Sequence, residues 1–524
     1  MAVWQSNVMT KKLPSNLGLL FYEVAGRRKD ATAIRYPSGK TISYQELNNR
    51  SNQIARLLRR NGVQERSVVG IFNNKSTNAY ASMLACIKIG AIYTNLDINS
   101  PWKRTNKIIK NCNPSLILDD GAAAEMISAV RQNNSCPAID ISDRAFQNDY
   151  KNLDQENLCE TEALSGSNPA YLMFTSGSTG FPKGAVITHD NVLNFINWCS
   201  DAFSINEKDV LTNVSPMYFD NSVFDFFNSL FTGATMASVQ DTINKNPQDL
   251  VSTVNALKCT IWYSVPSLLV YLLTAKALKK SDFTLLTRIV FAGEGFPKPK
   301  LKQLFELYCD RMTLFNCYGP TETTCLCSSY KLSKDDFEDL NELTPLGFMA
   351  PSYKYIILPV DESNLNFGEL CLMGPGVGAG YYNDDERTRE SFVQNPLNQE
   401  SQEIMYKTGD LVRRAENGFL HFKGRKDNQI KHMGYRIELE EIEAGLNSLK
   451  YVDAVGVVYK HLGSGLGMIV AFVSISTKTS ESEIIDDIKK IVPRYMVPKS
   501  IKIQPSLPKN RNGKIDRRQL EELL

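Results

Sequence analysis

The stretch Thr175-Ser176-Gly177-Ser178-Thr179-Gly180-Phe181-Pro182-Lys183-Gly184 brings hydroxyls, flexible backbone amides and one ammonium together in a single short run. Such a loop is suited to holding phosphate. Its glycines let the backbone turn N–H groups toward an anion, the Ser and Thr hydroxyls add donors, and Lys183 adds a full charge. A flexible linker has a similar composition, but Tyr171-Leu172-Met173-Phe174 before the loop and Ala185-Val186-Ile187 after it predict two strands that pin it at both ends. The loop is not a Walker A sequence, because Lys183 is followed by Gly184 and not by Ser or Thr.

Outward from the loop, short apolar runs alternate with helical periodicity. Ser43-Tyr44-Gln45-Glu46 has capping-box spacing, and Leu47, Ile54, Leu57 and Leu58 give the helix it opens one apolar face. Strands are predicted at 68–72, 115–118, 260–263, 288–291 and 312–316, with a helix over 80–89. This alternation predicts an α/β fold, with layered and largely parallel sheets in a large N-terminal domain and functional residues on the loops leaving strand ends. From about Gly368 the texture changes to short strands and tight turns, including Asn417-Gly418 as a hairpin signal. A charged stretch at 424–429 precedes a final segment of alternating helix and strand. The expected division is a core domain over 1–426 and a small, mobile α+β domain over 427–524.

A chain of 524 residues with 43% hydrophobic composition can bury more than one core. Its 59 basic and 57 acidic side chains leave a formal net charge of +2, too little to attract nucleic acid or an anionic membrane, so small molecules and proteins are the expected partners. No apolar run is long enough to span a bilayer and residues 1–20 lack the apolar core of a secretion signal, so cytoplasmic residence is expected. The 11 cysteines form no CxxC pair, and with four histidines there is no zinc-ligand spacing. The one-residue gap between Cys325 and Cys327 suggests a strand with both thiols on one face.

The phosphate-type loop is followed in order by Phe219-Asp220-Asn221-Ser222-Val223, Asn316-Cys317-Tyr318-Gly319-Pro320-Thr321-Glu322, Tyr406-Lys407-Thr408-Gly409-Asp410, Gly424-Arg425-Lys426-Asp427 and Asn512-Gly513-Lys514-Ile515-Asp516. Together these motifs resemble the adenylate-forming superfamily, which includes acyl-CoA synthetases, luciferases and the adenylation domains of nonribosomal peptide synthesis. The resemblance implies attack of a substrate carboxylate on the α-phosphate of ATP, with Mg²⁺ as cofactor. It implies that Thr175, Ser176, Gly177, Thr179, Gly180 and Lys183 hold the outer phosphates, that Thr321 touches the α-phosphate and that Glu322 binds Mg²⁺. Tyr318 and Asn316 would meet adenine, and Asp410 the ribose, with Arg425 nearby. Lys514 would bridge the carboxylate and the α-phosphate. Asp427 would be the hinge about which the small domain swings, presenting Gly434-Tyr435-Arg436-Ile437-Glu438 to a pantetheine thiol.

Asp220 separates the subfamilies. A buried aspartate has nothing to pair with in a fatty or aryl acid, whereas an amino acid brings an ammonium. By resemblance to amino-acid-activating domains, the pocket is lined by Asp220, Asn221, Phe224, Tyr263, Val290, Ala292, Cys317, Cys325 and Leu326. Phe224 and Tyr263 shorten it, and Val290, Cys317 and Leu326 keep it apolar, so a small uncharged amino acid is expected, with proline or alanine favoured. A β-amino acid or D-alanine, or a small carboxylic acid joined to CoA, are the alternatives. Asn95 stands where many relatives have proline, a departure expected to touch only a loop. The short distance from Lys514 to Leu524 leaves no room for a fused carrier domain, so a separate phosphopantetheinylated carrier protein is the expected acceptor.

Overall fold

In a computed structural model, residues 14–133, 136–177, 180–243, 246–361, 363–398, 400–462, 467–510 and 515–524 are described. Two largely parallel sheets organise the large domain. One has six strands and runs from Ala138–Asp140 through Leu116–Asp119, Val68–Phe72, Ile92–Leu96 and Pro169–Thr175 to an antiparallel edge strand, Lys183–Thr188. The other has nine strands, with Val210–Asn213, Ile261–Ser264, Arg288–Phe291 and Thr313–Tyr318 consecutive and parallel at its centre. Val68–Phe72 is buried at every position, as a parallel strand covered on both faces should be.

The helix Tyr44–Arg60 begins as its spacing predicts. Ser43 accepts from the Glu46 amide while the Glu46 carboxylate accepts from the Ser43 amide. Beyond the two parallel sheets, Lys354–Pro359, Phe367–Met373, Phe392–Gln394, Ile404–Arg414 and Leu420–Arg425 form an antiparallel sheet. The Asn417-Gly418 turn joins its last two strands, with Gly418 at φ +84°. A hairpin of Gln429–His432 with Tyr435–Glu438 follows, then the helix Leu439–Asn447 and a three-stranded sheet whose core is built from Ile437, Ile442, Val457, Ala471 and Ile484.

Two expectations are corrected. Asn95 is not in a loop: it lies in the strand Ile92–Leu96, is 9% exposed, accepts from Asn73 Nδ2 at 3.0 Å and donates to the Met217 carbonyl at 3.1 Å. Proline could not continue those bonds, and the two amides replace it with a polar tie to the segment that carries Asp220. Cys325 and Cys327 are not in a strand either, since the strand starts at Ser328. Thr324 and Cys325 both have positive φ, 61° and 69°, and this tight turn breaks the alternation a strand would have imposed. Among the described residues no helix is long and apolar enough to cross a membrane.

Candidate active site

The loop after Pro169–Thr175 is held as its flanks predict, by antiparallel pairing of that strand with Lys183–Thr188, in which Thr175 faces Lys183 across the pair. A Cβ on Gly177 would stand 2.0 Å from the Phe181 carbonyl oxygen, so only glycine lets the backbone turn there. Thr175 Oγ1 is buried beside the cleft with no hydrogen-bond partner, an available donor for a phosphate oxygen. Gly180 sits at φ +76°, and its carbonyl accepts from Lys107 Nζ at 2.7 Å. Thr179 and Lys514 lie outside the described residues.

Glu322 projects from a short turn, Thr321–Thr323, that leaves the strand Thr313–Tyr318. It is fully buried and surrounded by donors. Oε1 accepts from the Tyr381 hydroxyl at 2.7 Å and lies 3.5 Å from Lys183 Nζ; Oε2 lies 2.6 Å from a guanidinium nitrogen of Arg436. Burial alone would push its carboxyl up, but Arg436 and Lys183, with the Tyr381 hydrogen bond, hold it well below the usual carboxylate range. Among the described residues no three His, Cys, Asp or Glu side chains gather to hold a metal. One carboxylate without a cage fits Mg²⁺, which keeps waters and substrate phosphates as its other ligands.

Strand register brings the nucleoside-side residues together. Asp410 faces Arg425 across an antiparallel pair, and the two form an ion pair at 2.5 Å. The other Asp410 oxygen accepts from the Tyr318 hydroxyl at 2.6 Å. Arg425 also grips Asp427 with two bonds of 2.7 Å, so the expected hinge position is tied to the expected ribose site. Asn316 spends its amide on the Pro345 carbonyl at 2.8 Å. Lys431, from the hairpin, stands 5.7 Å from the centre of the Tyr318 ring.

Asp220 immediately precedes the helix Asn221–Leu230 but does not cap it; its carboxylate accepts from the Thr321 hydroxyl at 2.5 Å. Burial raises its carboxyl, with the Thr321 bond opposing the shift. Among the described residues Asp220 makes no ion pair, which leaves its charge for a ligand cation. Behind it, Phe224 and Tyr263 stack with centroids 4.3 Å apart, and the Tyr263 hydroxyl donates to Asn221 Oδ1 at 2.7 Å and lies 3.6 Å from Cys325 Sγ. Val290, Ala292, Cys317 and Leu326 pack in the same core. Of the nine expected pocket residues, Asp220 and Asn221 line the cleft, and the other seven are buried in the hydrophobic core without lining it.

Several participants carried no motif signal. Tyr381 reaches Glu322 because its backbone bridges Ala185 on the strand after the loop. Arg104 forms a buried ion pair with Glu441 at 3.0 Å across the two domains. Glu294 holds the hairpin tip by accepting from the Gly434 amide at 3.0 Å. Each acts through a long-range contact, so no local spacing marks it.

Comparison with known proteins agrees with this geometry. Residues 21–382 match the AMP-binding enzyme family and residues 441–514 its C-terminal domain. The chain belongs to the AMP-binding enzyme family and is an adenylate-forming ligase. It is 30% identical over 506 residues to a D-alanine--D-alanyl carrier protein ligase of Bacillus cytotoxicus, covering 94% of this chain and 96% of that protein. It is 34% identical over 506 residues to bacitracin synthase 3 of Bacillus licheniformis, covering 96% of this chain but only 8% of that much longer protein. In fold it is similar to the adenylation domain AlmE of Vibrio cholerae, solved with glycyl-adenosine-5'-phosphate, with a TM-score of 0.82 and 23% identity over 100% of this chain and 99% of that one.

Proposed function

We propose that the chain activates a small, uncharged amino acid, alanine in either configuration or proline, as its aminoacyl-adenylate and transfers it to the phosphopantetheine thiol of a separate carrier protein. The observation that carries this is Asp220, a buried carboxylate at the cleft that accepts from a hydroxyl and, among the described residues, makes no ion pair. An amino-acid ammonium completes it, whereas a simple acid leaves it desolvated and unpaired. The Phe224–Tyr263 stack behind Asn221 limits the side chain to a small one. A full-length relative named for D-alanine and its carrier protein supports the same substrate class.

In the first half-reaction a carboxylate oxygen of the amino acid attacks the α-phosphorus of ATP, the bond to the bridging oxygen breaks, and pyrophosphate leaves with the electron pair. Thr321 stands beside Asp220 to meet the α-phosphate, Thr175 and Lys183 face the outer phosphates, and Lys514 supplies a further cation. Glu322 would hold Mg²⁺, which when bound would neutralise charge on the phosphate oxygens. In the second half-reaction a thiolate sulfur attacks the acyl carbon and AMP departs, so no enzyme nucleophile is consumed. Amino-acid-dependent exchange of pyrophosphate into ATP across a substrate panel tests the first step. Activation of alanine or proline well above acetate and propionate is expected; preference for a desamino acid would replace this function with CoA ligation.

A further inference from the structure

The phosphate loop is gripped by two cations that stand on two different helices. At its turn the Gly180 amide donates to the Gly177 carbonyl at 2.9 Å, and the carbonyls of Gly180 and Phe181 are then both taken by side chains. Lys107 Nζ donates to the Gly180 carbonyl at 2.7 Å and stands 4.5 Å from the centre of the Phe181 ring. A guanidinium nitrogen of Arg387 donates to the Phe181 carbonyl at 3.3 Å. Lys107 belongs to the helix Trp102–Cys112, which Ile108, Ile109 and Cys112 fix to the core of the six-stranded sheet. Arg387 belongs to the helix Asp385–Ser391 and pairs with Asp384 at 3.3 Å. Asn383 Nδ2 donates to the Asn111 carbonyl at 2.8 Å, which joins the two supports to each other. The Phe181 ring is 56% exposed, so burial of that ring does not hold the loop tip.

We propose that Lys107 and Arg387 are positioning residues for ATP, which hold the peptide between Gly180 and Phe181 with its carbonyl on Lys107 and its N–H free for an outer phosphate oxygen. The inference rests on the loop as the seat of those phosphates. In a trans peptide the C=O and the N–H point opposite ways, so fixing the Gly180 carbonyl on Lys107 also fixes the direction of the Phe181 N–H. That N–H has no hydrogen-bond partner among the described residues. The next residue, Pro182, has no N–H to offer, so Phe181 carries the last backbone donor before Lys183 and the Arg387 bond serves only to orient the chain. A carbonyl bound to a cation also polarises its peptide and makes the attached N–H a stronger donor. Gly180, at φ +76°, would otherwise let the peptide turn more than one way, and neither cation has to touch the nucleotide to prevent this.

The test measures binding of ATP, pyrophosphate and AMP, each with Mg²⁺, to the full chain by calorimetry, with pyrophosphate exchange for KM and kcat. Lys107→Met should weaken ATP and pyrophosphate about tenfold, the loss expected if the unclamped loop holds the competent peptide about one-tenth of the time, and leave AMP, which has no outer phosphates, within about twofold. KM for ATP and for pyrophosphate should rise by the same factor while kcat stays within about twofold, as loss of a uniform binding contribution requires. Lys107→Arg, which can still donate to the Gly180 carbonyl, should restore both affinities. Arg387→Met should give the same split between the ligands, more weakly, and decides alone if Lys107→Met does not fold. Unchanged pyrophosphate affinity in Lys107→Met, or an equal loss of all three ligands, overturns the proposal. Undiminished pyrophosphate binding in Lys183→Met would instead remove the loop as the seat of the phosphates, a separate failure.

Discussion

Arg104 on the helix Trp102–Cys112 and Glu441 on the helix Leu439–Asn447 form an ion pair at 3.0 Å with side chains only 9% and 5% exposed, joining the two domains through a buried bond. Nearby, Tyr435 stacks on Tyr495 with centroids 3.7 Å apart and meets Phe219 edge-on at 4.7 Å. The Arg104–Glu441 and Phe219–Tyr435 contacts join the small domain to the large one, so a swing of the small domain about Asp427 would break them.

Arg104→Met should therefore separate the half-reactions. Breaking a buried pair leaves Glu441 uncompensated, at a cost of about 3–5 kcal/mol that the chain avoids by undocking the small domain. Transfer to the carrier thiol should fall about a hundredfold or more while pyrophosphate exchange stays within about threefold. Single-turnover measurement of each step checks this, and equal loss of both would count against a latch.

Phe224→Val should widen the pocket at the Tyr263 stack. A methylene in an apolar site is worth roughly 1–3 kcal/mol, so removing most of a ring should shift preference from alanine toward valine or leucine by at least about tenfold. The ratio of kcat/KM values in pyrophosphate exchange is the measurement. An unchanged ratio would mean that Phe224 does not set the pocket depth.

Asp220→Ala should lower amino-acid activation by roughly two to four decades, the equivalent of about 3–5 kcal/mol for a buried pair. Activation of a desamino analogue should fall far less, narrowing the gap between the two acids. The wild type adds a pH signature. Burial raises the Asp220 carboxyl, so the ionised form that pairs with ammonium is present above that raised pKa and lost as pH falls through it. KM for the amino acid should rise on acidification at a higher pH than an ordinary aspartate would give, and Asp220→Ala should abolish that limb.

Lys514→Ala should slow adenylate formation at least about a hundredfold, since about 3 kcal/mol or more of transition-state stabilisation is assigned to this cation. Nucleotide binding, followed by calorimetry, should change little. Adenylation near the wild-type rate would remove Lys514 from the mechanism.

The sequence by itself determined what depends on local spacing. Strand–loop–strand around Thr175 to Gly184, the capping box at Ser43 and the Asn417-Gly418 hairpin are written in periodicity and turn chemistry, which act over a few residues. It also placed Asp220, Glu322 and Asp410 in motifs with definite roles. Tertiary structure alone decided who meets them. Tyr381 and Arg436 reach Glu322 from 59 and 114 residues away, Arg104 finds Glu441 across 337, and Asn95 leaves its expected loop to hold the backbone near Asp220. Cys325 likewise broke from the strand its spacing suggested, because consecutive left-handed residues override alternation. Such contacts depend on how sheets and domains pack, and whether a buried carboxyl such as Glu322 stays ionised is settled only when its partner arrives.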